Sequence, residues 1–187
     1  MARTPSNMLP LGTMLPEFNL PDTVSGKYFS SEELKNHVSV VMFICNHCPF
    51  VKYVNDQIVK LANDYLSRNV LFVAISSNDV INYPDDAPEK MKETAKELKY
   101  PFPYLYDESQ DVAKLFDAAC TPDFYVFDKN QKLVYRGQLD DSRPSLDIPV
   151  TGKDIREALE NILAGKPVAD FQRPSLGCNI KWKVPQL

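Results

Sequence analysis

Hydrophobic and polar positions along the chain alternate between unbroken apolar stretches and helical stripes. The stretches 38–44 and 70–76 are continuous and rich in β-branched residues, which predicts strands buried on both faces of a helix-covered sheet. Between them Val51, Val54, Ile58, Leu61 and Tyr65 recur at spacings of three and four, a stripe that starts behind Pro49 and ends near Arg68. Pro49 fits there because the first helical turn does not use the N–H that proline lacks. Strand, helix and strand make a βαβ unit with a right-handed crossover.

Outside this unit the pattern is thinner. A short strand is predicted over 17–20, and a helical turn over 30–36, capped by Ser30 with Glu33 three residues on. A polar, proline-rich loop at 78–88 precedes a narrow stripe of Met91, Ala95 and Leu98 in 89–99. Next come a short strand over 102–106 and a helix over 109–119 with Val112, Leu115, Phe116 and Ala119 inward. Strands 124–127 and 133–136 flank Asp128-Lys129-Asn130-Gln131, a hairpin signal. The loop 139–152 has the length of a functional or mobile segment. A last helix carries Ile155, Leu159, Ile162 and Leu163 and stops at Gly165, and the tail from 166 onward, without a period, is expected to wrap the surface. There is no internal repeat. The order predicts an α/β fold with helices on both sides of the sheet and a site at the carboxyl ends of the parallel strands, where Cys45 falls.

Composition narrows the function classes. With 187 residues, 44% hydrophobic and 25% charged, the chain has the make-up of one globular domain, which excludes disordered, collagenous and coiled-coil classes. A net charge of −4 with interspersed signs offers nothing to nucleic acid or an anionic membrane. The longest nearly apolar run, 38–45, is far short of the roughly 20 residues that span a bilayer. Residues 1–20 lack the layout of a secretory signal, so the expected compartment is the cytoplasm. Four cysteines, at 45, 48, 120 and 178, are too few for a disulfide scaffold. In a reducing cytosol they would fill the core, bind metal or carry redox chemistry.

The run Cys45-Asn46-His47-Cys48 puts two thiols three residues apart where a buried strand ends and a helix begins. Unpaired N–H groups and the positive end of the helix favour a thiolate there. A lowered pKa makes a nucleophile at neutral pH, and the second thiol resolves the mixed disulfide. By position Cys45 is the outer, attacking sulfur with a pKa expected below the free value, and Cys48 is the inner, resolving one.

Leu15-Pro16-Glu17-Phe18-Asn19-Leu20, Cys45-Asn46-His47-Cys48-Pro49 and Thr121-Pro122 together resemble the thioredoxin fold, within the redoxin group of TlpA/ResA-like proteins and AhpC/TSA peroxiredoxins. The runs CNHCPFVKY, CTPDFYVFD, DDSRP and GCNIKWK resemble a peroxiredoxin-like branch of thioredoxin-family proteins, over about residues 11–184. The resemblance implies a thioredoxin-like domain over 1–187, its mixed central sheet flanked by helices, with an arm at 1–14 and a tail at 166–187. It implies that Pro122 is a cis-proline facing the dithiol and that Thr121 offers its backbone to an extended substrate, with Asn46 on the same substrate side. His47 holds the place that DsbA-type oxidants fill with His, where an imidazole stabilises the Cys45 thiolate. Cys120, beside the Thr-Pro pair, and Cys178, in the tail, are candidate auxiliary thiols, each weighed against a plain packed cysteine.

Two features of these families have no counterpart. No acidic residue lies between Val38 and Cys48, and Ser39 stands six before Cys45, so the proton-transfer carboxylate on this strand is unassigned. The peroxidatic pattern Pro-x-x-x-Thr-x-x-Cys is absent: its places hold Val41 and Cys45 counted from Cys48, or Val38 and Met42 counted from Cys45. The expectation is a thiol-disulfide oxidoreductase with a redox-active disulfide and no other cofactor. It would act on a protein or small-molecule disulfide and use a thiol electron donor. Three alternatives stand beside it: a peroxiredoxin-like peroxidase, a non-catalytic adaptor, and a zinc or copper site. The metal site would be built from Cys45, His47, Cys48 and one of Cys120, Cys178 or His37.

Overall fold

The apolar stretch beginning at Val38 forms a strand whose six residues are all buried, and its alternation sorts them between two layers. Val38, Val40 and Met42 pack into one apolar cluster, and Val41 and Phe43 into the other, so the strand is the floor of two cores. The computed structural model describes residues 3–184. In chain order its elements are β1 (Arg3–Pro5), β2 (Asn19–Pro21), β3 (Tyr28–Ser30), β4 (Val38–Phe43), α1 (Pro49–Leu66), β5 (Val70–Ser76), α2 (Pro88–Glu97) and β6 (Tyr104–Tyr106). They continue with α3 (Asp111–Leu115), β7 (Cys120–Thr121), β8 (Asp123–Phe127), β9 (Leu133–Gly137), α4 (Lys153–Leu163) and β10 (Leu176–Asn179).

The main sheet has the order β6-β5-β4-β8-β9. The strand β4 pairs in parallel with β5 and antiparallel with β8, so the βαβ unit and the hairpin share it as a central strand. Helices α1 and α4 cover the face of Met42 and Phe124, while α3 and its C-cap supply Val112 and Phe116 to the face of Phe43 and Tyr125. The stripe Val51, Val54, Ile58, Leu61 and Tyr65 is buried as its spacing requires. Ser30 and Glu33 close a capping box over a 3-10 turn at Ser31–Leu34. Among the described residues no helix is long and apolar enough to cross a membrane.

Two expectations are corrected. The helix of 109–119 is shortened to Asp111–Leu115, because Gln110 and Asp117 take positive φ at either side. Ala113 consequently turns inward and Leu115, assigned to the core, is 55% exposed. The tail does not merely wrap the surface. Its residues 176–179 form β10, the middle strand of a second sheet of order β1-β10-β7, with Cys178 and Ile180 buried. A run of four residues flanked by Pro174 and a half-buried Lys181 has too short a period to be read as a strand. The arm's first two residues and the tail's last three lie outside the described residues.

Candidate active site

Cys48 is the N-cap of α1 and Pro49 its first residue, so the dithiol sits where the helix leaves its N–H groups unpaired. Opposite lies the turn from β7 into β8, with a cis peptide bond between Thr121 and Pro122. Cys45 Sγ is 3.4 Å from Thr121 Oγ1, and Cys48 Sγ is 3.3 Å from the Thr121 carbonyl oxygen. Both cysteines are buried, Cys45 at 1% exposed and Cys48 fully.

A third sulfur joins them. Cys178 Sγ lies 2.9 Å from Cys48 Sγ, delivered by the pairing of β10 with β7 in which Cys178 is opposite Thr121. Residues opposite each other in a sheet point to one face, which is why Cys178 and Thr121 both meet the dithiol. Cys120, one residue earlier, is opposite Asn179 and so belongs to the other face. Its sulfur lies 3.9 Å from the Pro122 carbonyl oxygen, and burial beside Asp123 pushes its thiol up. Of the two candidate auxiliary thiols, the structure brings Cys178 to the dithiol and leaves Cys120 packed away from it.

The edge expected to receive a substrate at Thr121 is filled by the chain itself. Gly177 makes that closeness possible: a Cβ on it would lie 1.9 Å from the Thr121 carbonyl oxygen. Asn46, placed on the substrate side by resemblance, is also fully engaged. Its backbone N–H donates to Asp86 Oδ1, its amide donates to the Asp85 carbonyl, and its amide oxygen accepts from Tyr104. It fastens the loop after β5 over the site.

That loop supplies the carboxylate that strand β4 lacks. Asp86 is buried and accepts from the backbone N–H of Asn46 and His47, from Asn78 Nδ2 at 2.8 Å, and from His47 Nδ1 at 2.5 Å. Burial alone would raise its pKa, but the hydrogen bonds from His47 and Asn78 and the imidazolium charge hold it below its usual range. Reciprocally, the bond to Asp86 raises the pKa of His47 against its partial burial. The imidazole stacks on Tyr83 and its Nδ1 is 3.9 Å from Cys45 Sγ. Sequence reasoning missed Asp86 and Asn78. A carboxylate in a loop leaving the carboxyl end of a parallel strand was the available signal, since ligand crevices form there.

The charge of the dithiol falls on the other sulfur from the one expected. Cys45 is pushed up by its hydrogen bond to Cys48, by burial and by the Asp86 carboxylate. Cys48 is lowered to about 5: the hydrogen bond from Cys45 outweighs its burial, helped by Cys178 and the Val51 N–H in the first turn of α1. The helix end stabilises a thiolate as anticipated, but it stabilises the inner one.

For a metal, the structure gathers Cys45, His47 and Asp86, whose ligand atoms lie within 4.8 Å of one another. This is not the set read from the sequence. His37 precedes β4 and Cys45 follows it, so a strand of about 20 Å separates them. His47 already spends Nδ1 on Asp86, which makes the carboxylate a partner of the imidazole.

The family model of the AhpC/TSA family matches residues 11–136, most of the described chain. The chain belongs to the AhpC/TSA family. Within it, the fold is thioredoxin-like, the dithiol being carried between β4 and α1 and faced by the cis-proline. A structure of an uncharacterized conserved protein from Geobacillus kaustophilus is 58% identical, with 100% of this chain and 99% of that one covered and a TM-score of 0.97. A hypothetical protein from Sinorhizobium meliloti is 45% identical, with coverage of 97% and 100% and a TM-score of 0.95. A thiol:disulfide interchange protein of the thioredoxin family from Chlorobium tepidum shares the fold at 19% identity and a TM-score of 0.64, with coverage of 83% and 99%. No curated protein matches the chain. The AhpC/TSA model ends before β10, so the strand that brings Cys178 to the dithiol lies beyond the matched residues.

Proposed function

We propose that this AhpC/TSA-family chain is a thiol-disulfide oxidoreductase that cycles between a Cys45/Cys48 dithiol and disulfide. One observation carries the reading: the two sulfurs sit at the start of α1 within 3.4 Å and 3.3 Å of Thr121, beside the cis-proline. In the reductive direction the Cys45 thiol gives its proton to the hydrogen-bonded Cys48 thiolate as its sulfur attacks a substrate disulfide. Cys48 then loses that proton and displaces the bound half, leaving the Cys45–Cys48 disulfide and two substrate thiols. In the oxidative direction the same steps run backwards. A thiol donor closes the reductive cycle. Because the Thr121 edge is filled by β10, the substrates favoured are those reaching Cys45 without adding a strand: a small disulfide, or a protein disulfide exposed on a loop.

A thiolate with a pKa of about 5 is mostly charged at neutral pH, which stabilises the reduced form and makes the disulfide more oxidising. Equilibration with glutathione buffers is expected to give a potential between about −270 mV, as in thioredoxin, and about −120 mV, as in DsbA. A value at or below about −270 mV removes the oxidising reading. Failure of Cys45 and Cys48 to form a disulfide in any buffer overturns the function. In the same preparations, peroxide consumption is expected to match that of Cys45→Ser, since the peroxidatic pattern is absent.

A further inference from the structure

Cys178 is a buried nucleophile that the two-thiol cycle does not use, and three observations place it in line with the cycle. Its sulfur is 2.9 Å from Cys48 Sγ, so closing to the roughly 2.05 Å of a disulfide needs a movement under about 1 Å. The strand that carries it is held from both sides, by β1 and by β7. Gly177 lets that strand approach the Thr121 carbonyl more closely than any residue with a Cβ allows. Cys48 is thereby the middle sulfur of three, within reach of both Cys45 and Cys178.

Resting on the dithiol reading above, we infer that Cys178 is a third redox thiol, which takes over Cys48 from the Cys45–Cys48 disulfide and so passes the oxidation on from Cys45. In this step the Cys178 thiol loses its proton and its sulfur attacks Cys48. The Cys48–Cys178 bond forms, the Cys45–Cys48 bond breaks, and the electron pair leaves on Cys45, which takes up one proton. The exchange is redox-neutral and needs no further oxidant. Cys45 returns to the thiol state while the oxidising equivalent is kept between two sulfurs that are at most 2% exposed.

Electrostatics set the order of events. In the dithiol, Cys178 is pushed up to about 12 by burial and then by its hydrogen bond to Cys48 and the charge on Cys48. Once Cys48 is in a disulfide its negative charge is gone and both of these effects fall away, while Lys181 continues to favour the Cys178 thiolate. Cys178 is held idle until there is a disulfide for it to attack.

The test is Cys45→Ser, oxidised with diamide, quenched with an alkylating agent and mapped by mass spectrometry, beside Cys178→Ala treated the same way. Of the three cysteines left in Cys45→Ser, oxidation is expected to remove two, joined as a Cys48–Cys178 peptide, with Cys120 still alkylated. In wild-type protein both Cys45–Cys48 and Cys48–Cys178 peptides are expected. If Cys45→Ser keeps all three thiols while Cys178→Ala forms Cys45–Cys48, the relay is overturned and the dithiol function stands. If neither variant forms a disulfide, both are overturned. Cys45→Ser leaves Cys178 and its packing untouched, so a folding defect from Cys178→Ala cannot mimic the expected result.

Discussion

Cys45 and Cys48 are separated in chemistry by what faces each of them. The hydrogen bond between them, the burial of Cys45 beside the Asp86 carboxylate and the further donors around Cys48 put the shared charge on Cys48. Ultraviolet thiolate absorbance of the reduced protein is expected to rise with a midpoint near 5, and to keep a midpoint below neutral pH in Cys45→Ser, whose hydroxyl still donates to Cys48. Loss of the low midpoint in Cys45→Ser would return the thiolate to Cys45. The ion pair of His47 and Asp86 has its own pH signature. His47, raised above its ordinary 6.5, contributes stability that is full below 6.5 and is lost as pH rises through its folded value. Asp86, held below its ordinary 3.8, contributes above 3.8 and loses the contribution as pH falls through its folded value. The melting-temperature gap between wild type and His47→Gln is therefore expected to be widest between 3.8 and 6.5 and to narrow on the alkaline side. A gap that does not narrow as pH rises beyond 6.5 through the folded value of His47 would remove the ion pair as its cause. The dithiol was legible because local spacing marks it, and the cis-proline because Thr121-Pro122 resembles the pair that faces the dithiol in the thioredoxin fold. Asp86 was not, because a side chain thirty-eight residues past Cys48 is brought back only by the tertiary path of a loop.

At the scale of elements, strong periodicity carried through and short runs did not. The seven residues Val70–Ser76 and the α1 stripe are long enough for burial to impose its period on the sequence. In α3, five residues long, backbone reversals at Gln110 and Asp117 decide which side chains face in, and Leu115 is turned out to solvent. The strand β10 has no pattern of its own, since its neighbours, β1 and β7, lie far from it and from each other along the chain. Its docking depends on one missing methyl group. Gly177→Ala would put carbon 1.9 Å from a backbone oxygen, a clash no rotamer relieves. The expected cost is about 1–3 kcal/mol, as for overpacking elsewhere. Labelling of Cys178 in the folded protein should then quicken by roughly tenfold per 1.4 kcal/mol of lost docking. Unchanged stability and labelling would mean that β10 is not held as described. The loop 139–152, long enough to suggest mobility, is instead tied down: the Asp140 carboxylate accepts from the N–H groups of Ser142, Thr151 and Gly152. Arg143 donates to the Asp140 and Ser142 carbonyls and to Gln138, completing that loop.

At the scale of the molecule, one aromatic cluster links the segment before β2, the sheet and the C-cap of α3 on the face away from α1. Phe116 lies within 6.3 Å, ring centre to ring centre, of Phe18, Phe43, Tyr125 and Phe127. Phe116→Ala is expected to cost about 3–5 kcal/mol in denaturant unfolding, a cost below about 1 kcal/mol being incompatible with a packed centre. Across the sheet, the pairing of β10 with β7 makes the chain a ligand of itself. A strand tethered to its own groove competes at an effective concentration on the order of millimolar. A free peptide that binds the bare groove with micromolar affinity would face about a thousandfold handicap at Thr121. Whatever exchanges disulfides with this protein is thus selected against being a floppy chain in search of an edge, long before the chemistry of its sulfur is put to the question.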